Sequence, residues 1–274
     1  PGECDLQVLN PQSKPIKVGG CSILIEQPPT SVTTMKTLLL TLLFASSLSQ
    51  SFEMGINDTQ IAPMATIYYT KDGAKIRQSG TLYLLGQYIA KFTQEPTTYT
   101  VIMRKDAERQ LAQSKIQSLC YMTPQWLKLK KNQVVFSKPF MRNHERLISR
   151  KPIPLIKEKR DLHNLTLGLV KGFHYPAIQD LIDRDYVHSE YHQNEHMNFI
   201  SLFQEDKLDA VIFKQVAFKH LMQTLPSIVG KNTITIHPLS LGELEVSCAL
   251  SSASKHYLPQ INAAIDAFTQ DYPL

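Results

Sequence analysis

Strand-like and helix-like stretches alternate along most of this chain, and the alternation starts twice. In the first round, residues 52–57 (FEMGIN) read as a strand and 68–73 as a strand end and turn. Leu82, Leu85, Tyr88, Ile89 and Phe92 recur at helical spacing and predict an amphipathic helix over 79–94. Strands at 99–103 and 116–121 flank a short helix at 107–114, and 134–136 is a fourth strand. In the second round a strand at 165–170 ends in Lys171-Gly172, and a helix follows near 176–184. Met197, Ile200, Leu202 and Phe203 mark another helix, before a buried strand at 209–213 and a helix at 216–222. Strands at 233–237 and 245–249 precede a closing helix on which Ile261, Ala264, Ile265 and Phe268 share a face. Such alternation predicts open α/β sheets with parallel strands. Two rounds without a Gly-rich or Pro-rich linker predict two lobes joined by short extended crossings.

The 274 residues carry a net charge of +5, with Lys and Arg scattered along the chain. The densest run is 128–131, which reads as solvated surface; without a basic stripe no nucleic-acid partner is expected. Met35-Lys36, the apolar run 38–45 and the small polar run 46–51 follow the order of a cleavable signal peptide, cut near Gln50. The apolar run is shorter than the roughly 20 residues that span a bilayer. Residues 1–34 lack an initial Met and any periodicity, so they read as a non-native extension before a true start at Met35. That extension holds Cys4 and Cys21, leaving Cys120 and Cys248 in the mature chain.

With those segments on the page, the order of motifs resembles the bacterial extracellular solute-binding family 3, the periplasmic proteins that serve polar amino-acid ABC transporters. Residues 52–59 (FEMGINDT) are similar to that family's opening strand and ligand loop. Phe136-Ser137-Lys138-Pro139-Phe140 and the following 145–151 (ERLISRK) are similar to its strand and crossing into the second lobe. Residues 167–175 (LGLVKGFHY), 208–213 (LDAVIF) and 246–252 (VSCALSS) resemble its lobe-2 strand and glycine turn, its late strand and its return strand. The likeness covers 52–274, and Thr123-Pro124-Gln125-Trp126 places the chain on a divergent branch.

The resemblance implies a periplasmic binding protein type II clamshell, each lobe an open, mostly parallel sheet flanked by helices. Lobe 1 would be 52–142 plus 245–274, and lobe 2 143–244. It implies a monomeric periplasmic protein that captures a small polar solute for an ABC permease of the inner membrane. The alternative is a soluble sensor docking on a membrane receptor, and a lesser one a dehydratase-like enzyme. In that fold Cys120 and Cys248 lie on neighbouring strands. We expect two buried free thiols there, with a bridge as the alternative.

Ligands of open α/β sheets sit beyond the carboxyl ends of the strands, which makes Tyr121 and Thr123 ligand-binding candidates; the resemblance adds Asp58 in the ligand loop, Trp126, and Phe173, His174 and Tyr175 at the glycine turn. The family holds an α-carboxylate with an Arg and an ammonium with an Asp. Here the Arg position falls on Trp126 or Lys130, depending on the direction of counting, and the Asp position on Lys214. A lysine offers a point charge without a guanidinium fork. An aromatic cleft holding Lys130 and Lys214 therefore suits an anionic or neutral solute at least as well as a zwitterion.

The sequence carries no nucleophile elbow, no phosphate-binding glycine loop and no recognised metalloprotease spacing. His174 and Glu195 can be imagined in acid–base roles, but nothing fixes their geometry, so no catalysis and no cofactor are expected. His188, His192 and His196 lie four apart and would share a face on one helix. Residues 185–187 read instead as a strand or loop start, with the helix beginning near Asn194, so no metal site is expected.

Overall fold

A computed structural model describes residues 50–127, 133–204, 207–224 and 234–273. The proposed signal peptide up to residue 49 and the 128–131 run lie outside the described residues.

The first sheet forms around strands buried on both faces. Strand β1 (Phe52–Asn57) runs parallel to β4 (Thr97–Ile102) on one side and to β5 (Ser118–Met122) on the other. All five residues of β5 are buried, which suits a central strand. Helix α1 (Thr81–Thr93) covers one face with Leu82, Leu85 and Ile89, beside the C-terminal helix α6 (Leu258–Asp271). The two helices meet edge-to-face at Tyr88 and Phe268, whose ring centres are 5.6 Å apart. Helix α2 (Arg104–Ala112) packs Ala107 and Leu111 against Leu119 and Met122 on the opposite face.

A second sheet repeats the plan. Strands β8 (Thr166–Val170), β9 (His188–His192) and β10 (Ala210–Lys214) are parallel, with β8 between the other two. One face carries Leu167, Leu169, Ile178 and Ile212, with the single-turn α3 (Gln179–Ile182). The other carries Phe199, Phe213 and Leu221, from β10 and from helices α4 (Glu195–Gln204) and α5 (Gln215–Thr224). Four apolar clusters thus correspond to two sheets of two faces.

Two long antiparallel strands join the sheets. Strand β7 (Met141–Ser149) pairs with β10, and β11 (Thr235–Ser251) pairs with β7, β5 and the short β6 (Val134–Phe136). The strand order is β4-β1-β5-β11-β7-β10-β8-β9. The parallel strands are therefore as expected, and the joining strands add antiparallel pairing at the centre.

Some elements differ from the sequence reading. Residue 233 lies outside the described residues; the strand expected at 233–237, from Thr235 onward, and the one expected at 245–249 are parts of the one strand β11. Pro238 and Gly242 interrupt its pattern, and register shifts between Ile236 and Ser240 and between Ser240 and Glu243 absorb them. The segment 68–73 belongs to a hairpin of β2 (Ile67–Thr70) and β3 (Gly73–Ile76), whose second strand the reading missed. The helix near 176–184 shrinks to one turn, because Ile178 is non-helical at φ −135°, ψ 10°. His188 and His192 lie on β9 and His196 on α4, so the three do not share a helix face.

The expectation of free thiols is corrected. Cys120 and Cys248 face each other across the β5–β11 pair and form a disulfide with Cα atoms 3.9 Å apart. Both residues are fully buried. Closing a loop of 128 residues removes conformational entropy from the unfolded chain, by about 4–5 kcal/mol in the loop-closure account. A non-reducing peptide map should recover the Cys120 and Cys248 peptides joined. The paired variant C120A/C248A should melt several degrees lower; unchanged melting would show that the bridge does not hold the sheet.

Candidate functional site

The strand ends build one site. β1 runs out into Asp58 and Thr59, β4 into Met103 and Arg104, and β5 ends at Tyr121 and Met122. From the second sheet, β8 runs out into Lys171, Gly172 and Phe173, β9 into Gln193, and β10 ends at Lys214. The two sets of carboxyl ends approach each other, the arrangement in which open α/β sheets hold ligands. Gln193 Nε2 donates to Asp58 Oδ2 at 3.2 Å across this approach.

Lys214 is the centre of the site. It is 5% exposed, and its ammonium donates to the buried carboxylate of Glu195 at the start of α4. Three aromatic faces surround the same nitrogen. Phe173 lies 4.4 Å from it, Trp126 5.5 Å and Tyr121 5.9 Å, measured to the ring centres. Each lies within cation–π range, worth about 0.5–2 kcal/mol depending on desolvation. Tyr121 holds its place with φ at 69°, a left-handed backbone that a bulky residue adopts only under packing constraint. Its ring leans on Trp126 at 6.0 Å. Two cavities flank the ammonium, one lined by Asn57, Arg104 and His174 and the other by Thr59 and Glu195. Each has a volume of about 10 Å³, room for roughly one water molecule.

A second carboxyl faces this group. Glu145 on β7 is the register partner of Lys214 on β10 and is 5% exposed. Burial pushes its pKa up to about 7; Lys214 works against that rise and Glu195 adds to it. The Tyr121 hydroxyl is also held well above its ordinary value, by burial first and then by the charges of Glu195 and Glu145.

The remaining sequence candidates fall in different places. Asp58 sits at the rim, where Oδ1 accepts the Arg104 backbone N–H at 2.9 Å and so caps α2. Trp126, Phe173 and His174 line the inner cavity. Thr123 is buried, and its carbonyl accepts the Trp126 N–H at 3.1 Å. Tyr175 packs in the core of the second sheet, and its hydroxyl accepts the Val170 N–H at 2.8 Å. Lys130 lies outside the described residues. Arg104, Glu145, Thr59 and Gln193 were not candidates. Arg104 directly follows the strand read at 99–103, so the strand-end rule contained its signal; Gln193 follows β9, which the sequence reading did not contain, and Glu145 lies within a strand and had none.

No protein-family model matches this sequence, and no curated protein matches it. Solved structures do. An amino acid ABC transporter substrate-binding protein, AbpA, of Streptococcus pneumoniae, bound to L-arginine, superposes with a TM-score of 0.63 at 16% identity. The match covers 81% of this chain and 90% of that one. This is the two-lobed solute-binding fold. An ancestral arginine-binding protein bound to arginine matches at TM-score 0.61 and 21% identity, over 81% and 93% of the two chains. The arginine-binding protein of T. maritima matches at 0.61 and 16%, over 87% and 94%. At such identities the likeness establishes the two-lobed fold.

Two outcomes follow from the charges. Lys214→Met strands a buried Glu195 carboxylate and should cost about 3–5 kcal/mol of stability, whereas K214M/E195L should recover most of it. Equal denaturant midpoints for K214M and the native chain would show that the pair is not buried. For Glu145, the carboxyl is neutral in folded and unfolded chains below its ordinary value of 4.5. Between 4.5 and about 7 the unfolded chain releases its proton while the folded chain keeps it, so stability falls as pH rises. The loss is complete above about 7, at roughly 3 kcal/mol. Glu145→Gln should therefore melt above the native chain at pH 8 and level with it near pH 4; a difference independent of pH would contradict the shift.

Proposed function

We propose that this chain captures a small polar solute between its two lobes and presents it to an ABC permease. Residues 52–142 plus 245–274 form one lobe and 143–244 the other, with β7 and β11 as the crossings. The observation that carries the reading is the convergence of charged and aromatic side chains from two opposed sets of strand ends. Trp126 and Tyr121 come from the first sheet, and Phe173, Glu195 and Lys214 from the second. A cleft built from two bodies can close on a solute, strip its water and change the shape offered to a partner.

Two further points support the reading. The structural neighbours include a protein described as an amino acid ABC transporter substrate-binding protein, and the neighbours are binding proteins. Among the described residues no helix is long and apolar enough to cross a membrane. We assign binding rather than catalysis to the site. The leader-like run starting at Met35 would carry the chain to the periplasm, where the Cys120–Cys248 bridge is at home. The chain works as a monomer in this reading.

Trp126 is the single tryptophan and packs within the cleft, so its emission should report closure. Titrating the full chain with a panel of amino acids, dicarboxylates, sugars and phosphate esters should give a saturable change with one class, and the solute should be recovered unaltered. Chemical conversion of the solute would replace capture with catalysis.

A further inference from the structure

We infer that the captured solute is a net anion bearing a carboxylate or a phosphate, which the cleft holds at its rim through Arg104, Lys105, Lys171 and Thr59. This inference deepens the solute-capture reading and rests on it.

The inner part of the cleft already holds a cation. The ammonium of Lys214 fills the box formed by Tyr121, Trp126 and Phe173, and its charge is paired with Glu195. The flanking cavities are too small for an organic ligand. The room lies further out, in a cavity of about 270 Å³ that both sheets line. Arg104, Lys105 and Thr59 contribute from the first, and Lys171, Gly172 and Gln193 from the second. That volume is at the small end for ligand sites, which are about 300–1,000 Å³.

Three cations line this cavity against one carboxylate, and that carboxylate is engaged. Asp58 accepts from the Arg104 backbone through one oxygen and from Gln193 through the other. Arg104 is 8% exposed, and its guanidinium reaches Glu108 at 3.4 Å and the Trp126 carbonyl at 3.3 Å. Charge-assisted pairs usually close to about 2.7–2.9 Å, so these contacts leave the fork under-used. Lys105 and Lys171 are exposed and have no ion-pair partner among the described residues. Thr59 supplies the independent sign. It is 6% exposed and lines the cavity, and its hydroxyl is buried with no hydrogen-bond partner. A buried hydroxyl without a partner is costly, and an oxyanion would accept its proton. Gly172, at φ +77°, turns the chain beside Arg104, where an added Cβ would come within 3.4 Å of the Arg104 Cγ.

The test uses the full chain with four probes: succinate, glycerol 3-phosphate, arginine and glucose. Calorimetry and thermal shift should show binding of succinate or glycerol 3-phosphate, weakening as salt is added. Which of the two binds decides between carboxylate and phosphate. The double variant K105A/K171A removes two exposed side chains, so it should melt like the native chain yet bind that anion about tenfold more weakly or worse. Unchanged affinity in the double variant would overturn the inference. If arginine or glucose binds and neither anion does, the inference falls and solute capture stands. If none of the four binds, both fall.

Discussion

A lysine buried against a glutamate is the interaction around which this cleft is organised. Taking both charges out of water costs several kcal/mol per ion, and only close pairing and further favourable contacts offset it. Here Glu195 supplies the pairing and three aromatic faces supply the rest. The arrangement draws on both sheets, since Tyr121 and Trp126 approach from the first and Phe173 from the second. A cation provided by the chain itself thus ties together the walls of the proposed cleft, and Glu145 beside it tunes the balance with pH.

That arrangement separates this chain from the amino-acid binders it resembles in shape. A site that must hold an amino acid's ammonium needs an open acceptor, and here the buried acceptor Glu195 is already taken by Lys214. What is left open is cationic and lies nearer solvent, around Arg104. On the proposed anion reading, the same fold serves a different charge class through a few residues at strand ends, without altering either sheet.

Much of the fold was legible because burial leaves a periodic trace. The face of α6 was readable from Ile261, Ala264, Ile265 and Phe268, and all four are buried. β1 and β10 were readable as apolar runs between turn signals. β11 was not, because Pro238 and Gly242 look like strand breakers when the long partner β7, which tolerates the bulges, is unseen. The site was legible only by position. The strand-end rule leads to Tyr121 and the resemblance to Phe173 and Lys214, but nothing local says that Lys214 will be paired with a residue nineteen positions earlier or that Glu145 will stand opposite it. The second pairing comes from sheet register and the first from how α4 packs beside β10, and a linear pattern encodes neither. The disulfide stood only as the alternative, because neighbouring strands do not by themselves fix the Cα spacing that a bridge demands.

The placement of that bridge has a mechanical consequence. Cys248 lies on the last part of β11, where it pairs with β5, beyond the stretch from Thr235 to Val246 that pairs with β7. On the proposed division both sulfurs belong to the same lobe, and neither crossing is pinned to the other. The covalent link therefore acts as a rivet within one jaw and leaves the pivot unfastened. Oxidation can harden the protein against unfolding while the swing of the jaws stays governed by backbone torsion and the weak contacts at the rim.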